Sequence, residues 1–305
     1  MEFTKPPLPF IGNKSKVRKQ LIEILKTIEN DDNRIFVDLF GGSLYISHLL
    51  HKLFPKCKII SNDYDNYLER LYHINETNQL LEKLKESIPD VKINEKIPDD
   101  KRKYVQEILK NANYIDWNTI SAKLLYSGSV RCFDIDSLMK KTLYLSFKNL
   151  FDEKIDKYKE GLTIVRKDWK ELFDEYKDHK NVFFICDPPY YNTWDLQYNK
   201  KWTLKDTLYT LDVMKHPCLY FSSEKSNLDD ILEILDEKYD EKFNVEKILL
   251  NRGRINTHPC KNCEIVYVNR DMKEEKEGIN KIKKKKEIEE EIIEEEDIEE
   301  FSDSD

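Results

Sequence analysis

Val182-Phe183-Phe184-Ile185-Cys186-Asp187-Pro188-Pro189-Tyr190 is a run of five apolar residues that stops at an acid and two prolines. The apolar, β-rich run predicts a strand. In open α/β sheets ligands bind beyond the carboxyl ends of strands, so Asp187 to Tyr190 are expected to project into a cleft. Pro188 and Pro189 lack N–H donors and stiffen the chain, leaving their carbonyls as fixed acceptors.

Around that run, short β-rich segments alternate with longer charged helical ones, the rhythm of an α/β sheet with crossover helices. Further strands are expected at Ile35 to Leu39, Lys58 to Ser61, Cys218 to Ser222 and Ile265 to Asn269. Val17, Leu21, Ile24, Leu25 and Ile28 recur at helical spacing, so residues 16–28 are predicted to form a helix packed on the sheet. Between residues 80 and 161 the pattern changes to charged helices, including Lys101 to Asn111 and Ser137 to Leu150. It reads as an inserted, mostly helical second domain, with residues 1–79 and 162–270 as the core.

The full chain of 305 residues is 39% hydrophobic and 11% aromatic, enough to bury a large core, and its net charge of -8 is unevenly spread. Residues 271–305 hold sixteen acids against seven lysines, a net of -9, which leaves +1 for residues 1–270. This low-complexity tail has too little apolar surface to fold alone, so disorder or a solvated helix is expected there. No apolar run approaches the roughly 20 residues of a membrane span, and the Pro-rich start does not read as a secretory signal. An intracellular, soluble protein in the cytoplasm or nucleus, with reduced thiols, is expected. Cys260 and Cys263 form a Cys-x-x-Cys beside His258, but with no second pair a four-ligand zinc site is not expected, nor any other metal.

The chemistry suggested by Asp187 to Tyr190 is that of an amine. The N6 amine of adenine is a poor nucleophile because its lone pair is delocalised into the ring. Two acceptors holding both amine hydrogens, the Asp187 carboxylate and the Pro188 carbonyl, would localise that pair and aim it. Tyr190 could stack on the base, worth about 1–3 kcal/mol, once the base is flipped from its duplex. A second motif, Ile35-Phe36-Val37-Asp38-Leu39-Phe40-Gly41-Gly42-Ser43, ends a strand in glycines that admit a ligand close to the backbone. It matches neither a dinucleotide fingerprint nor a phosphate loop. Asp63, about 20 positions on, reads either as an acceptor for ribose hydroxyls or as a cap for a helix over Tyr64 to Tyr72.

These residues together resemble the Dam-type (D12 class) DNA adenine-N6 methyltransferases of bacteria, phages and large viruses, across most of the chain outside the insertion and tail. The resemblance implies a Rossmann-like S-adenosylmethionine-dependent methyltransferase core with an inserted, mainly helical target-recognition domain. It also implies S-adenosyl-L-methionine as cofactor, double-stranded DNA as substrate and a cognate restriction endonuclease as a possible partner. Phe10-Ile11-Gly12-Asn13-Lys14 is similar to the family's aromatic-x-Gly-x-Lys segment, which closes over the cofactor. Asp38, Phe40, Gly41 and Gly42 fall on its glycine loop, Asp63 on its ribose-binding acid, and Asp187 to Tyr190 on its catalytic tetrapeptide, whose acid is expected to border the cofactor as well. Trp169 matches an aromatic near the cofactor's adenine, with a core role equally open, and Tyr198 and Lys200 lie on a loop that would meet DNA.

The insertion departs from the family pattern. Members that read GATC carry an Arg-rich segment with a Pro-Phe-Gly hairpin, whereas here Tyr126-Ser127-Gly128-Ser129-Val130-Arg131 is only an echo. Arg131 is the candidate for a guanine edge or a phosphate. Direct in-line methyl transfer needs no covalent intermediate, so Cys186 is given no role. The alternatives are another amino acceptor (cytosine N4, RNA adenine or a protein glutamine) or a catalytically silent DNA-binding subunit of the same fold.

Overall fold

The structure, a computed structural model, describes residues 3–29, 31–126, 131–152, 154–191, 202–250 and 264–270. Seven strands, β1 (Ile35–Asp38), β2 (Lys58–Asn62), β3 (Leu162–Val165), β4 (Val182–Cys186), β5 (Cys218–Ser223), β6 (Glu246–Leu250) and β7 (Glu264–Asn269), form one sheet in the order β3-β2-β1-β4-β5-β7-β6. The first five strands run parallel, and β7 lies antiparallel between β5 and β6. This is the α/β architecture expected of a Rossmann-like methyltransferase.

The five-residue run of β4 is buried throughout. Its side chains divide between two cores, as the period of two requires. Phe183 and Ile185 join α1 (Arg18–Lys26) and α2 (Tyr45–Leu53), while Val182, Phe184 and Cys186 join α9 (Trp169–Tyr176) and the start of α11 (Leu228–Tyr239). A helix, α10 (Leu204–Thr210), lies between β4 and β5 in the chain. Each fully buried Phe contributes about 1.5–3 kcal/mol, so both faces are strongly fixed.

Between β2 and β3 the chain forms α3 (Tyr67–Tyr72), α4 (Ile74–Glu86), α5 (Arg102–Lys110), α6 (Trp117–Leu124), α7 (Ile135–Met139) and α8 (Ile155–Lys159). Leu81, Leu84, Ile97, Val105, Ile120, Leu124 and Leu138 build a third apolar core within this region. The predicted helix over 137–150 is not formed: α7 ends at Met139. Leu143, Leu145 and Phe147 are buried while Tyr144 and Ser146 are not, the period of an extended segment, and Leu143 bridges to Leu125. The helix predicted over 16–28 begins as a 3-10 turn at Lys14–Val17 before α1. Among the described residues no helix is long and apolar enough to cross a membrane. Cys260, Cys263 and the tail 271–305 lie outside the described residues.

Candidate active site

Asp38 ends β1 and pairs in register with Ile185, so Asp187 continues from the neighbouring strand at the same carboxyl edge. Strand order reverses between β1 and β4, and this reversal opens a crevice in parallel sheets. Lys14 is delivered to it from the N-terminal segment. The turn at Gly12, with φ +80°, leads into the 3-10 turn that carries Lys14. Buried Lys14 donates from Nζ to Asp187 Oδ2 and, at 2.9 Å, to the Gly12 carbonyl. The Tyr190 hydroxyl donates to Asp187 Oδ1 at 2.9 Å. The Tyr190 and Phe221 rings lie 5.7 Å and 5.1 Å from the ammonium.

Burial pushes the Asp187 carboxyl above the usual carboxylate range, the Lys14 ammonium pulls it back, and Glu264 adds a raising charge. Asp38 is pushed up to about 7, chiefly by burial, with the Ser47 hydroxyl and the Phe40 N–H pulling down and the Asp187 charge raising it. The Ser47 hydroxyl has one proton and gives it to Asp38 Oδ2 at 2.7 Å, so the 2.8 Å contact with Ser61 is one in which Ser47 accepts. Asp38 Oδ1 is buried with no hydrogen-bond partner.

The defining sequence pattern of the D12 class N6 adenine-specific DNA methyltransferases matches residues 10–249. The chain belongs to this family. It is also similar to a protein of Haemophilus influenzae that carries the provisional name of a methyltransferase, with 30% identity over 246 residues, 77% of this chain and 81% of that one.

In this D12-class methyltransferase the Phe10 ring packs on the glycine loop: at Gly42, with φ +49°, an added Cβ would stand 2.9 Å from it. Phe10 also meets Tyr67 edge-on at 5.8 Å. Gly41 N–H donates to the Asn62 carbonyl at 3.0 Å, tying loop to β2. Phe40 lies 5.7 Å from Trp169 and 5.8 Å from Trp202 between ring centroids. Trp169 is half-buried and packs against the α9-side core, the core role its position left open.

Asp63 follows β2 directly and is buried. Its two carboxylate oxygens accept the N–H groups of Tyr67 at 2.6 Å and Leu68 at 2.7 Å, so it caps α3, which starts at Tyr67 rather than Tyr64. Burial holds its carboxyl above the usual range despite these bonds. Each oxygen keeps a second lone pair, so the cap leaves acceptor capacity.

Arg131 stands apart from this group, donating from Nε to Asn118 Oδ1 at 3.2 Å. Tyr198 and Lys200 lie outside the described residues. Cys186 is fully buried and its thiol is pushed well up by burial, far from a nucleophile's range. Sequence reasoning missed Ser47, Ser61 and Asn62. Asn62 donates to the Leu39 and Lys167 carbonyls at 3.1 Å and 3.0 Å and accepts from the Lys167 N–H, fixing the ends of β1 and β3. The available signal was polar residues inside otherwise apolar runs, Ser61-Asn62 after Lys58-Ile59-Ile60 and Ser47 within Tyr45-Ile46-Ser47-His48-Leu49-Leu50.

Proposed function

We propose that this methyltransferase moves a methyl group from S-adenosyl-L-methionine to N6 of an adenine extruded from double-stranded DNA. The observation that carries the reading is Asp187 at the switch point, ion-paired to buried Lys14 and hydrogen-bonded by Tyr190. Three features favour a sulfonium donor beside it. Asp38 presents a buried carboxylate oxygen without a partner, fitted to a cationic group. The Phe10 ring against Gly42 makes a lid over a loop that admits no side chain. Phe40 and Trp169 offer aromatic faces suited to a purine.

When bound, the donor supplies an electrophilic methyl carbon on sulfur; the remaining work falls to the chain. Asp187 accepts one amine hydrogen through a lone pair left over from Lys14 and Tyr190, and the Pro188 carbonyl accepts the other. Lys14 and Tyr190 fix the carboxylate before substrate arrives, so little reorganisation is left for the reaction. Methylated nitrogen must lose a proton, and a carboxyl held above its ordinary range by burial is a better acceptor for it. Asp63 serves the donor's ribose with its remaining lone pairs. The helical insertion, residues 80–161, carries recognition of the DNA, with Arg131 as one contact.

Incubating the full-length protein with donor and unmethylated DNA, then digesting and weighing the nucleosides, checks this directly. N6-methyladenine is the expected product; N4-methylcytosine, or label found only in RNA or protein, contradicts it.

A further inference from the structure

A buried polar junction joins three segments far apart in the chain. Arg70 on α3 donates from Nε to Asp116 Oδ1 at 3.0 Å and from a terminal nitrogen to the Pro9 carbonyl at 2.8 Å. Both side chains of the pair are buried, 9% and 1% exposed. Tyr67, one turn earlier, holds the residue before Pro9 at two points: its hydroxyl accepts from the Leu8 N–H at 2.9 Å and donates to the Leu8 carbonyl at 3.0 Å. Helix α3 thus grips the main chain of Leu8 and Pro9, immediately before Phe10 and the Gly12 turn that delivers Lys14.

Asp116 faces the other way into the insertion. It caps α6, accepting from the Asn118 and Thr119 N–H groups at 3.1 Å and 3.2 Å and from the Thr119 hydroxyl at 2.6 Å. Asn118, the next residue but one, accepts from Arg131 Nε. Arg131 also feels the junction electrostatically. Its guanidinium is lowered to about 10, first by burial and then by the like charge of Arg70, with Asp116 opposing. It stays cationic at neutral pH, so two guanidiniums bear on one carboxylate. A DNA phosphate or guanine edge at Arg131 would draw that cation outward and relieve its push on Arg70.

We propose that Arg70 is a positioning residue for methyl transfer, and that the path Arg131–Asn118–Asp116–Arg70–Pro9 couples DNA binding at the insertion to the placement of Lys14 against Asp187. The inference rests on the reading of Lys14 and Asp187 as the transfer site. Its sign is positive: DNA seats Arg70 on Pro9 more firmly, and the donor pocket beside Lys14 tightens. Linkage makes the effect reciprocal, so donor raises DNA affinity by the same factor.

The test uses the full-length protein and S-adenosylhomocysteine, the demethylated product, so that no turnover intervenes. Its affinity is measured by calorimetry with and without sonicated unmethylated DNA. Wild type should bind it about fivefold or more tightly with DNA present. Asn118→Ala, which severs only the Arg131 link, should keep affinity without DNA within about threefold of wild type while the DNA-dependent gain disappears. Asp116→Asn, which keeps an oxygen for the α6 cap but leaves Arg70 without its counter-charge, should both bind more weakly without DNA and lose the gain. A purely structural junction would leave that gain unchanged in every variant that folds. If Asp116→Asn fails to fold, Asn118→Ala decides alone. An unchanged gain in the variants, or none in wild type that still methylates DNA, overturns the coupling and leaves the transfer site standing. Failure of wild type both to bind the product and to methylate DNA overturns the site and the coupling with it.

Discussion

Asp38 and Asp116 are both buried carboxylates, 1% and 3% exposed, yet they are built differently. Asp116 accepts from a guanidinium, two backbone N–H groups and a hydroxyl, so its charge is compensated on every side. Asp38 has the Ser47 hydroxyl on Oδ2 and no hydrogen-bond partner on Oδ1, and the Phe40 N–H and the Lys14 charge do not offset its burial and the neighbouring acid Asp187. A satisfied buried charge is a joint that holds elements in place; an under-satisfied one at a sheet's switch point suits the cationic donor proposed above. The difference separates a joint of the fold from the carboxylate assigned to the proposed donor site.

Removing each group should therefore act in opposite directions. Asp116→Ala leaves Arg70 buried without a counter-charge and should cost about 3–5 kcal/mol in denaturant unfolding, the largest stability effect expected here. A loss below about 1 kcal/mol would erase the contrast. Asp38→Asn should stabilise. The folded Asp38 carboxyl titrates near 7 against about 4 in the unfolded chain, so the folded state binds more protons between these values. Its contribution to stability falls as pH rises through that window and then levels. Thermal melts should show the variant roughly 1–3 kcal/mol more stable than wild type at pH 8 and near parity at pH 4, with donor binding weakened in calorimetry at pH 8. Equal stabilities at both pH values would show that Asp38 carries no strain. Gly12→Ala gives the smallest shift: the space is open, but φ +80° costs an L-residue about 1–2 kcal/mol. Methyl transfer should suffer more than the melting temperature, since Lys14 is what the turn places.

The sequence makes the centre of the sheet legible because burial on both faces writes unbroken apolar runs, as in β4 and β5. The edges are another matter. Strand β3 is only partly buried and β6 presents Glu246 and Lys247 to solvent, so neither carries a run to read. Leu143, Leu145 and Phe147 alternate, and reading them into a helix from the neighbouring Ser137 to Met139 pattern put the wrong period on them. At the site, Asp187 declares itself by position after β4, whereas Lys14 is an ordinary lysine until the fold, or the family resemblance, sets it beside an acid 173 residues away. The Arg70–Asp116 junction has no local signature, since its partners lie 46 residues apart and depend on how the helices between β2 and β3 pack. Of the two readings of Asp63 the cap of α3 is observed, and the lone pairs it keeps are what the proposed ribose contact would use.

The central claim is that the Asp187 carboxylate grips the amine that receives the methyl group. Asp187→Ala, assayed side by side for tritiated methyl transfer to DNA and for calorimetric binding of S-adenosylhomocysteine, tests it most directly. Transfer should fall by about a thousandfold or more while product affinity stays within roughly tenfold of wild type. Near-normal transfer by the alanine variant would contradict the account.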